Sequence, residues 1–273
     1  MAFLSEQALY AIFSSSGGYN FLNQQVCSLF RTLIPRVEYL TYLNQLIKDG
    51  KEPENFMPSE KLMLLALDKG LLHLLGANKE YIPVEICDIA AAKGNLEMMK
   101  WAVENEFECD VVTYAHASGE NYLEILEWLK SIDFPQSEIS CKHAAWKGNL
   151  KVLKWLREQG CPWNEDVCSS AALDGHLEVL QWARANGCEW DVYVCSGAAE
   201  NGHLEVLQWA HANGCDCPDW VSAHAAYYGQ LEILKWLKSV GCFDERQALL
   251  YAREYGYIQI INEFSRLPAL PKL

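Results

Sequence analysis

The chain has 273 residues, of which 51% are hydrophobic, so it is long enough to bury a sizeable core. Its formal net charge of −14 argues against nucleic acid as a partner, because phosphate binding needs clustered lysine and arginine. The acidity either suits a basic protein partner or serves solubility alone. No run approaches the roughly 18 apolar residues of a membrane span, and the first residues lack a secretion signal, so we expect neither.

Residues 1–34 predict two or three short amphipathic helices. Leu9, Ile12 and Phe13 fall on one helix face, and Val26 and Phe30 fall on another. In order and spacing these residues resemble an F-box, which has a Leu-x-x-Ile-Phe helix followed by a Val-Cys-x-x-Trp/Phe-Arg-x-Leu helix. The resemblance implies that the five residues dock on a Skp-type adaptor. The alternative is a helical cap that shields the first repeat of a stack.

Residues 35–82 predict a helical connector. Leu40, Leu43 and Ile47 have the spacing of one helix face, and Ser59 is a predicted N-cap for a helix from Glu60 to Lys69. The stretch 66–75, which contains Gly70, reads as a degenerate first repeat. A stack of repeats therefore begins within this segment.

Residues 83–265 repeat with a period of 27. Tryptophan marks the period six times, and alanine, glycine and leucine recur in the same register. A fixed period in this range indicates one supersecondary unit stacked many times. The periodic tryptophans, which we expect to pack in the core, are Trp101, Trp128, Trp155, Trp182, Trp209 and Trp236.

One unit predicts two helices and a short loop. Residues 167–174 form the first helix, and Gly175 ends it because glycine accepts the left-handed conformation past a helix end. In one unit Asn121 replaces this glycine, and we expect it to adopt the same conformation less easily. The second helix runs over 177–185 and ends at Gly187. The predicted fold class is an all-α, helix-turn-helix solenoid, with a short tail at 266–273.

The segment from Ala171 to Leu180 resembles the Ala-Ala-x-x-Gly-His-x-Glu-Val-Val/Leu core of the ankyrin repeat. Each unit is about six residues shorter than the family repeat of about 33 residues, and the Thr-Pro-Leu-His opening is missing. We therefore expect tight loops instead of β-hairpin fingers. The short tryptophan-bearing units resemble repeats of large DNA viruses of amoebae and of oomycetes.

The ankyrin resemblance implies a binding surface on the concave face, at the residue pairs before the turn glycines. These pairs differ between units while the framework repeats, which favours recognition over packing. The predicted contact residues are Lys93, Trp146, Lys147, Leu173, Asp174, Glu200, Asn201, Tyr227 and Tyr228.

Eight of the eleven cysteines recur with the repeat, which indicates packing sites rather than disulfides. We expect a reducing cytosol or nucleus. The one local cluster, Cys215 and Cys217 with His211, lacks a second ligand pair at zinc spacing, so no metal site is expected. A metal- or redox-responsive protein remains one reading of so many thiols.

The leading function is protein–protein recognition without catalysis or a cofactor, since no catalytic motif appears. The F-box resemblance implies the substrate-recruiting subunit of an SCF-type cullin-RING ubiquitin ligase. In a viral setting the target would be a host protein in the host cytoplasm. The alternative is a stand-alone ankyrin binder that sequesters or masks a partner.

Overall fold

The computed structural model describes residues 39–53 and 56–265, and its regular elements are all helical. Among these residues there are seventeen α-helices, one 3₁₀ helix and no strand. The predicted all-α class is confirmed for this part of the chain. The predicted adaptor-docking residues, Leu9, Ile12, Phe13, Val26 and Phe30, lie outside it. No helix of the described residues is both long and apolar enough to cross a bilayer.

Two compact units are present, and the first contains the described residues up to Cys87 together with Glu97–Glu108. Its helices include α1 (Tyr39–Lys48), α2 (Glu60–Lys69), α3 (Leu72–Gly76) and a 3₁₀ helix (Lys79–Tyr81). Ser59 caps α2 by accepting a hydrogen bond from the Leu62 N–H, as predicted. The buried Asn78 amide accepts from the Ser59 N–H at 2.7 Å and donates to the Leu74 carbonyl at 2.7 Å.

The second unit consists of Asp88–Leu96 and the described residues from Cys109 onward. Along the chain, α4 and α5 precede six helix pairs. We call the first helix of each pair the inner helix and the second the outer helix. Each inner helix packs on the inner helix of the next pair, and each outer helix packs on the inner helix of its own pair. From residue 86 onward the helices are α4 (Ile86–Ala92), α5 (Leu96–Glu104), α6 (Val111–Gly119), α7 (Leu123–Ser131), α8 (Glu138–Trp146), α9 (Leu150–Glu158), α10 (Asp166–Leu173), α11 (Leu177–Ala185), α12 (Val192–Glu200), α13 (Leu204–Ala212), α14 (Val221–Tyr227), α15 (Leu231–Val240), α16 (Glu245–Glu254) and α17 (Ile258–Phe264). Residues 86–87 of α4 and 97–104 of α5 belong to the first compact unit.

The turn at Gly175, inside the pair α10–α11, favours glycine for two reasons. Gly175 has a φ of 79°, in the left-handed region that favours glycine. A Cβ atom there would lie 2.5 Å from Nδ1 of His203, which belongs to the following unit. Asn121, which replaces glycine in one unit, adopts a φ of 64° as predicted. The turn therefore fixes both the chain reversal and the close approach of the next unit.

Residues after the turn glycines connect each unit to the one before it. His176 Nε2 lies 3.0 Å from the Trp146 carbonyl. Gln230 Nε2 donates to the Glu200 carbonyl at 2.9 Å, and the Tyr257 hydroxyl donates to the Tyr227 carbonyl at 3.1 Å. These bonds satisfy carbonyl groups at the ends of inner helices that no helical N–H reaches. His176 is therefore a structural hydrogen-bonding residue.

Inner helices contribute small residues to the core, and outer helices contribute large aliphatic ones. Ala171 and Ala172 of α10 are fully buried against Leu180 of α11 and its equivalents. The periodic tryptophans are only half-buried, which corrects the expectation that they lie in the core. Two of them meet loop tryptophans edge-on: Trp182 lies 5.9 Å from Trp163 and Trp209 lies 5.8 Å from Trp190, measured between ring centroids. Each of the six indoles is therefore partly exposed to solvent.

Candidate protein-binding surface

The predicted contact residues lie at or just beyond the C-terminal ends of the inner helices. Most are exposed, while Leu173 and Glu200 are half-buried. The exposed members are Lys93, Trp146, Lys147, Asp174, Asn201, Tyr227 and Tyr228. The second compact unit thus carries all nine residues on equivalent positions of its inner helices, as the repeat register requires.

Some of these residues also connect neighbouring units. The Asn201 amide donates to the Leu173 carbonyl at 2.7 Å, so Asn201 has a structural role. Lys147 lies 4.7 Å from the centroid of the Trp146 ring and 3.7 Å from the Glu120 carboxylate. Sequence variation at these sites therefore reflects pairing between units as well as a free binding surface.

Tyrosines form a groove near the C-terminal end of the second unit. The ring centroid of Tyr227 lies 4.7 Å from that of Tyr255, 4.8 Å from that of Tyr228 and 5.9 Å from that of Tyr251. The groove has a volume of about 260 Å³ and is lined by Ala223, His224, Tyr227, Tyr228 and Tyr251. Edge-to-face tyrosines hold each other in place and leave ring faces exposed to a ligand.

A second groove runs across four successive inner helices, α8 to α14. Its volume is about 390 Å³, and His224 lines both grooves. Small residues, Ser169, Ser196 and Gly197, form its floor. Tyr193, which is 63% exposed, lines the same groove. The two grooves together offer a continuous track along the inner helices from Lys142 to Tyr251, which we call the inner-helix track.

Sequence reasoning missed several residues of the inner-helix track. Lys142, Ser169 and His224 each lie four residues before a predicted contact residue, on the same helix face one turn earlier. Helical spacing could have identified them. Tyr193 lies near the start of α12, and Trp220 occupies the same register position one repeat later. This recurrence of an aromatic residue was a signal that sequence reasoning did not use.

Hydrogen bonds perturb the phenols of the tyrosine groove. The Tyr228 hydroxyl is hydrogen-bonded to the Glu200 carboxylate, which raises the pKa of that phenol. A hydrogen bond with Tyr227 raises the pKa of Tyr255 to about 12. The phenols therefore stay protonated at neutral pH, and the carboxylate of Glu200 adds a negative charge at the junction of the two grooves.

One group of side chains could hold a metal. Atoms of His211, Cys217 and Cys242 that can ligate a metal all lie within 4.8 Å of one another. Sequence analysis identified only Cys215, Cys217 and His211 as a local cluster, without a second pair of metal ligands. The structure adds Cys242, which lies one repeat later in the chain and was not considered.

Comparisons with known proteins concern the fold. The chain is similar to the crystal structure of the human ASB11 ankyrin repeat domain, with 16% sequence identity and a TM-score of 0.48. The match covers 67% of this chain and 99% of that one. No protein-family description and no curated protein matches the chain. Its function has to follow from its own surface.

Proposed function

We propose that the chain is a protein-interaction module that binds a segment of a partner protein along the inner-helix track. The observation that supports this most directly is the joining of two grooves at His224, with exposed aromatic rings on both sides. Aromatic anchors in a partly enclosed groove are typical of binding hot spots. Catalysis is not part of this proposal.

The partner segment that fits best is basic. The rings of Tyr227, Tyr228 and Tyr251 line the groove, and a lysine or arginine side chain binds to such ring faces by cation–π attraction. Glu200, hydrogen-bonded to Tyr228, supplies a carboxylate for the same cation. The net charge of −14 favours the approach of a positively charged partner over long range.

Selection from a random displayed-peptide library tests this function. We expect enriched peptides to contain lysine or arginine, and Tyr227→Ala or Tyr251→Ala to weaken their binding at least about tenfold, which corresponds to roughly 1.4 kcal/mol. The matched control is Tyr81→Ala, because Tyr81 is 41% exposed, against 40% for Tyr227, but lies in the first compact unit. Enrichment of acidic peptides, or binding unaffected by both groove variants, would contradict the proposal.

We also propose that residues 1–34 recruit a ubiquitin ligase. This rests on the F-box resemblance of Leu9, Ile12, Phe13, Val26 and Phe30, which lie outside the described residues. In that case the repeats hold a target while the N-terminal helices dock on a Skp-type adaptor. The stand-alone binder, which masks its partner without ubiquitin, is the competing proposal.

Adaptor binding separates these two proposals. Purified Skp-type adaptor should bind the full chain with micromolar or tighter affinity, and Phe13→Ala with Phe30→Ala should abolish binding while the helical circular dichroism stays intact. A folded full chain that does not bind the adaptor supports the stand-alone binder.

We place the protein in a reducing compartment, the cytoplasm or nucleus. None of the ten cysteines that the structure describes forms a disulfide, and eight of them are buried. An oxidising compartment would favour pairing of thiols placed this close together. Fluorescence microscopy of the tagged chain in its natural host cell tests the location.

A further inference from the structure

In most repeats the loop cysteine has a structural role, because its thiol makes hydrogen bonds that hold the loop against the inner helix. We call these cysteines framework cysteines. In three successive units a cysteine after the outer helix donates its thiol to the carbonyl group that precedes the inner helix of the same unit, at 3.2–3.3 Å. The donor–acceptor pairs are Cys161 with Ser137, Cys188 with Asn164 and Cys215 with Asp191. Each of these thiols is also hydrogen-bonded to a cysteine of its own inner helix.

Cys242 occupies this register position but has a different environment. Its inner-helix partner position is filled by Ser222, whose hydroxyl instead donates to the Asp219 carbonyl and accepts from the Asp244 N–H. Cys242 is only half-buried, and its thiol is hydrogen-bonded to Cys217. Cys242 therefore does not make the hydrogen bond to an inner-helix cysteine that gives the framework cysteines their structural role.

Cys217 and His211 depart from the framework together. In two preceding units the equivalent positions form a stacked arginine–tryptophan pair: Arg157 lies 4.3 Å from the Trp163 ring, and Arg184 lies 4.2 Å from the Trp190 ring. One repeat later both members change, the arginine to His211 and the tryptophan to Cys217. A stacking pair is thus replaced by two side chains that can ligate a metal.

We propose that His211, Cys217 and Cys242 form a binding site for zinc. Their ligand atoms lie within 4.8 Å of one another, so shifts of about 1 Å bring them to tetrahedral zinc distances of about 2.0–2.3 Å. Imidazole and thiolate are the ligands that Zn²⁺ prefers, and water fills the fourth position because His211 and Cys242 are half-buried.

Neighbouring groups favour this metal. The His211 ring packs edge-on against Trp236 with centroids 5.5 Å apart, which restricts its rotation. The Cys195 thiol is hydrogen-bonded to Cys217, which connects the site to the inner helix α12. Asp216 and Asp219 add negative charge beside the two cysteines. A bound ion would connect the loop after α13 to the loop after α15, which belong to successive units.

Equilibrium dialysis of the reduced full chain against zinc, followed by elemental analysis, tests the site. We expect one zinc per chain, bound with a dissociation constant below about 1 μM, and the release of protons as the thiols become thiolates. Cys217→Ser, Cys242→Ser and His211→Gln should each weaken binding at least about tenfold. Cobalt in place of zinc should give the thiolate charge-transfer absorption of a tetrahedral site in the wild-type chain and much less of it in these three variants at equal cobalt concentration.

Two controls make the outcome decisive. Cys188→Ser changes the framework cysteine at the same register position as Cys242 and should leave zinc binding unchanged. The double variant His211→Arg with Cys217→Trp restores the pair of the preceding units and should fold but bind no zinc. Stoichiometry that is equal in all variants would reveal adventitious binding, and no zinc in the wild-type chain would overturn the proposal. Neither result bears on partner binding along the inner-helix track, which is measured separately.

Discussion

The Nε2 atom of His176 lies 3.0 Å from the backbone carbonyl oxygen of Trp146, thirty residues earlier in the chain. The contact connects two successive 27-residue repeats, and its acceptor is the last carbonyl of the inner helix α8 in the first of them. Equivalent bonds elsewhere use asparagine, glutamine or tyrosine, so the position needs a hydrogen-bonding group rather than an imidazole. Successive repeats are therefore connected by a hydrogen bond whose side-chain donor varies, while its backbone acceptor keeps the same position in each repeat.

Loss of this bond should destabilise the stack. We expect His176→Ala to lower the free energy of unfolding by about 0.5–1.5 kcal/mol, the usual net contribution of one hydrogen bond. His176→Gln should remain close to wild type, since Gln230 makes the same bond in another unit. Urea denaturation followed by circular dichroism measures both values. Equal losses in the two variants would show that the imidazole contributes through packing alone.

The turn glycines should differ in their tolerance of alanine. Gly175→Ala combines a left-handed φ of 79° with a clash against His203, so it should cost more than the roughly 1–2 kcal/mol of the backbone alone. Gly187→Ala is the matched control, because its φ is 82° but no atom lies within 4 Å of the added Cβ. The difference between their unfolding free energies isolates the clash. If the two variants were equally stable, the approach of His203 would not limit the turn.

Stability should fall in mild acid because of His143. Burial, together with the charges of His116 and two lysines, lowers the pKa of His143 below its ordinary value of 6.5. As the pH falls, His143 is therefore protonated in the unfolded chain before it is protonated in the folded chain. The free energy of unfolding decreases as the pH falls through 6.5 toward the folded-state pKa. We expect His143→Gln to lose less stability than wild type between pH 7 and pH 5, as measured by urea denaturation.

A second substitution checks the cause of this shift. His116→Gln removes the neighbouring imidazole, whose ring centroid lies 6.3 Å from that of His143. The pH dependence of this variant should fall between those of wild type and His143→Gln. A slope identical to wild type would mean that burial and the two lysines set the shift without His116.

Thiol reactivity should separate buried from accessible cysteines. Among the ten described cysteines, Cys109 and Cys242 are half-buried, and the other eight are buried. Under native conditions we expect alkylation at these two sites before any other described cysteine, read by peptide mass spectrometry. Bound zinc should then protect Cys242 while leaving Cys109 reactive. Rapid labelling of buried positions such as Cys168 would show that the stack opens locally.

The sequence determined the repeat, the helix pairs and the conformation of the turns. These features follow local rules: small residues on the inner helix, a left-handed residue at each turn and apolar spacing on the outer helix. Gly175 and Asn121 were predicted correctly because backbone conformation depends on the residue itself. The register also placed the predicted contact residues at equivalent positions on the inner helices.

The tertiary structure alone decided how side chains from different units meet. Local spacing does not show that Tyr193 lines a groove with His224, or that the periodic tryptophans are only half-buried. The cluster of His211, Cys217 and Cys242 is the clearest case. Cys242 follows Cys217 by 25 residues, far beyond the spacing that a local metal motif would show, and only the stacking of one unit on the next brings the two sulfur atoms together.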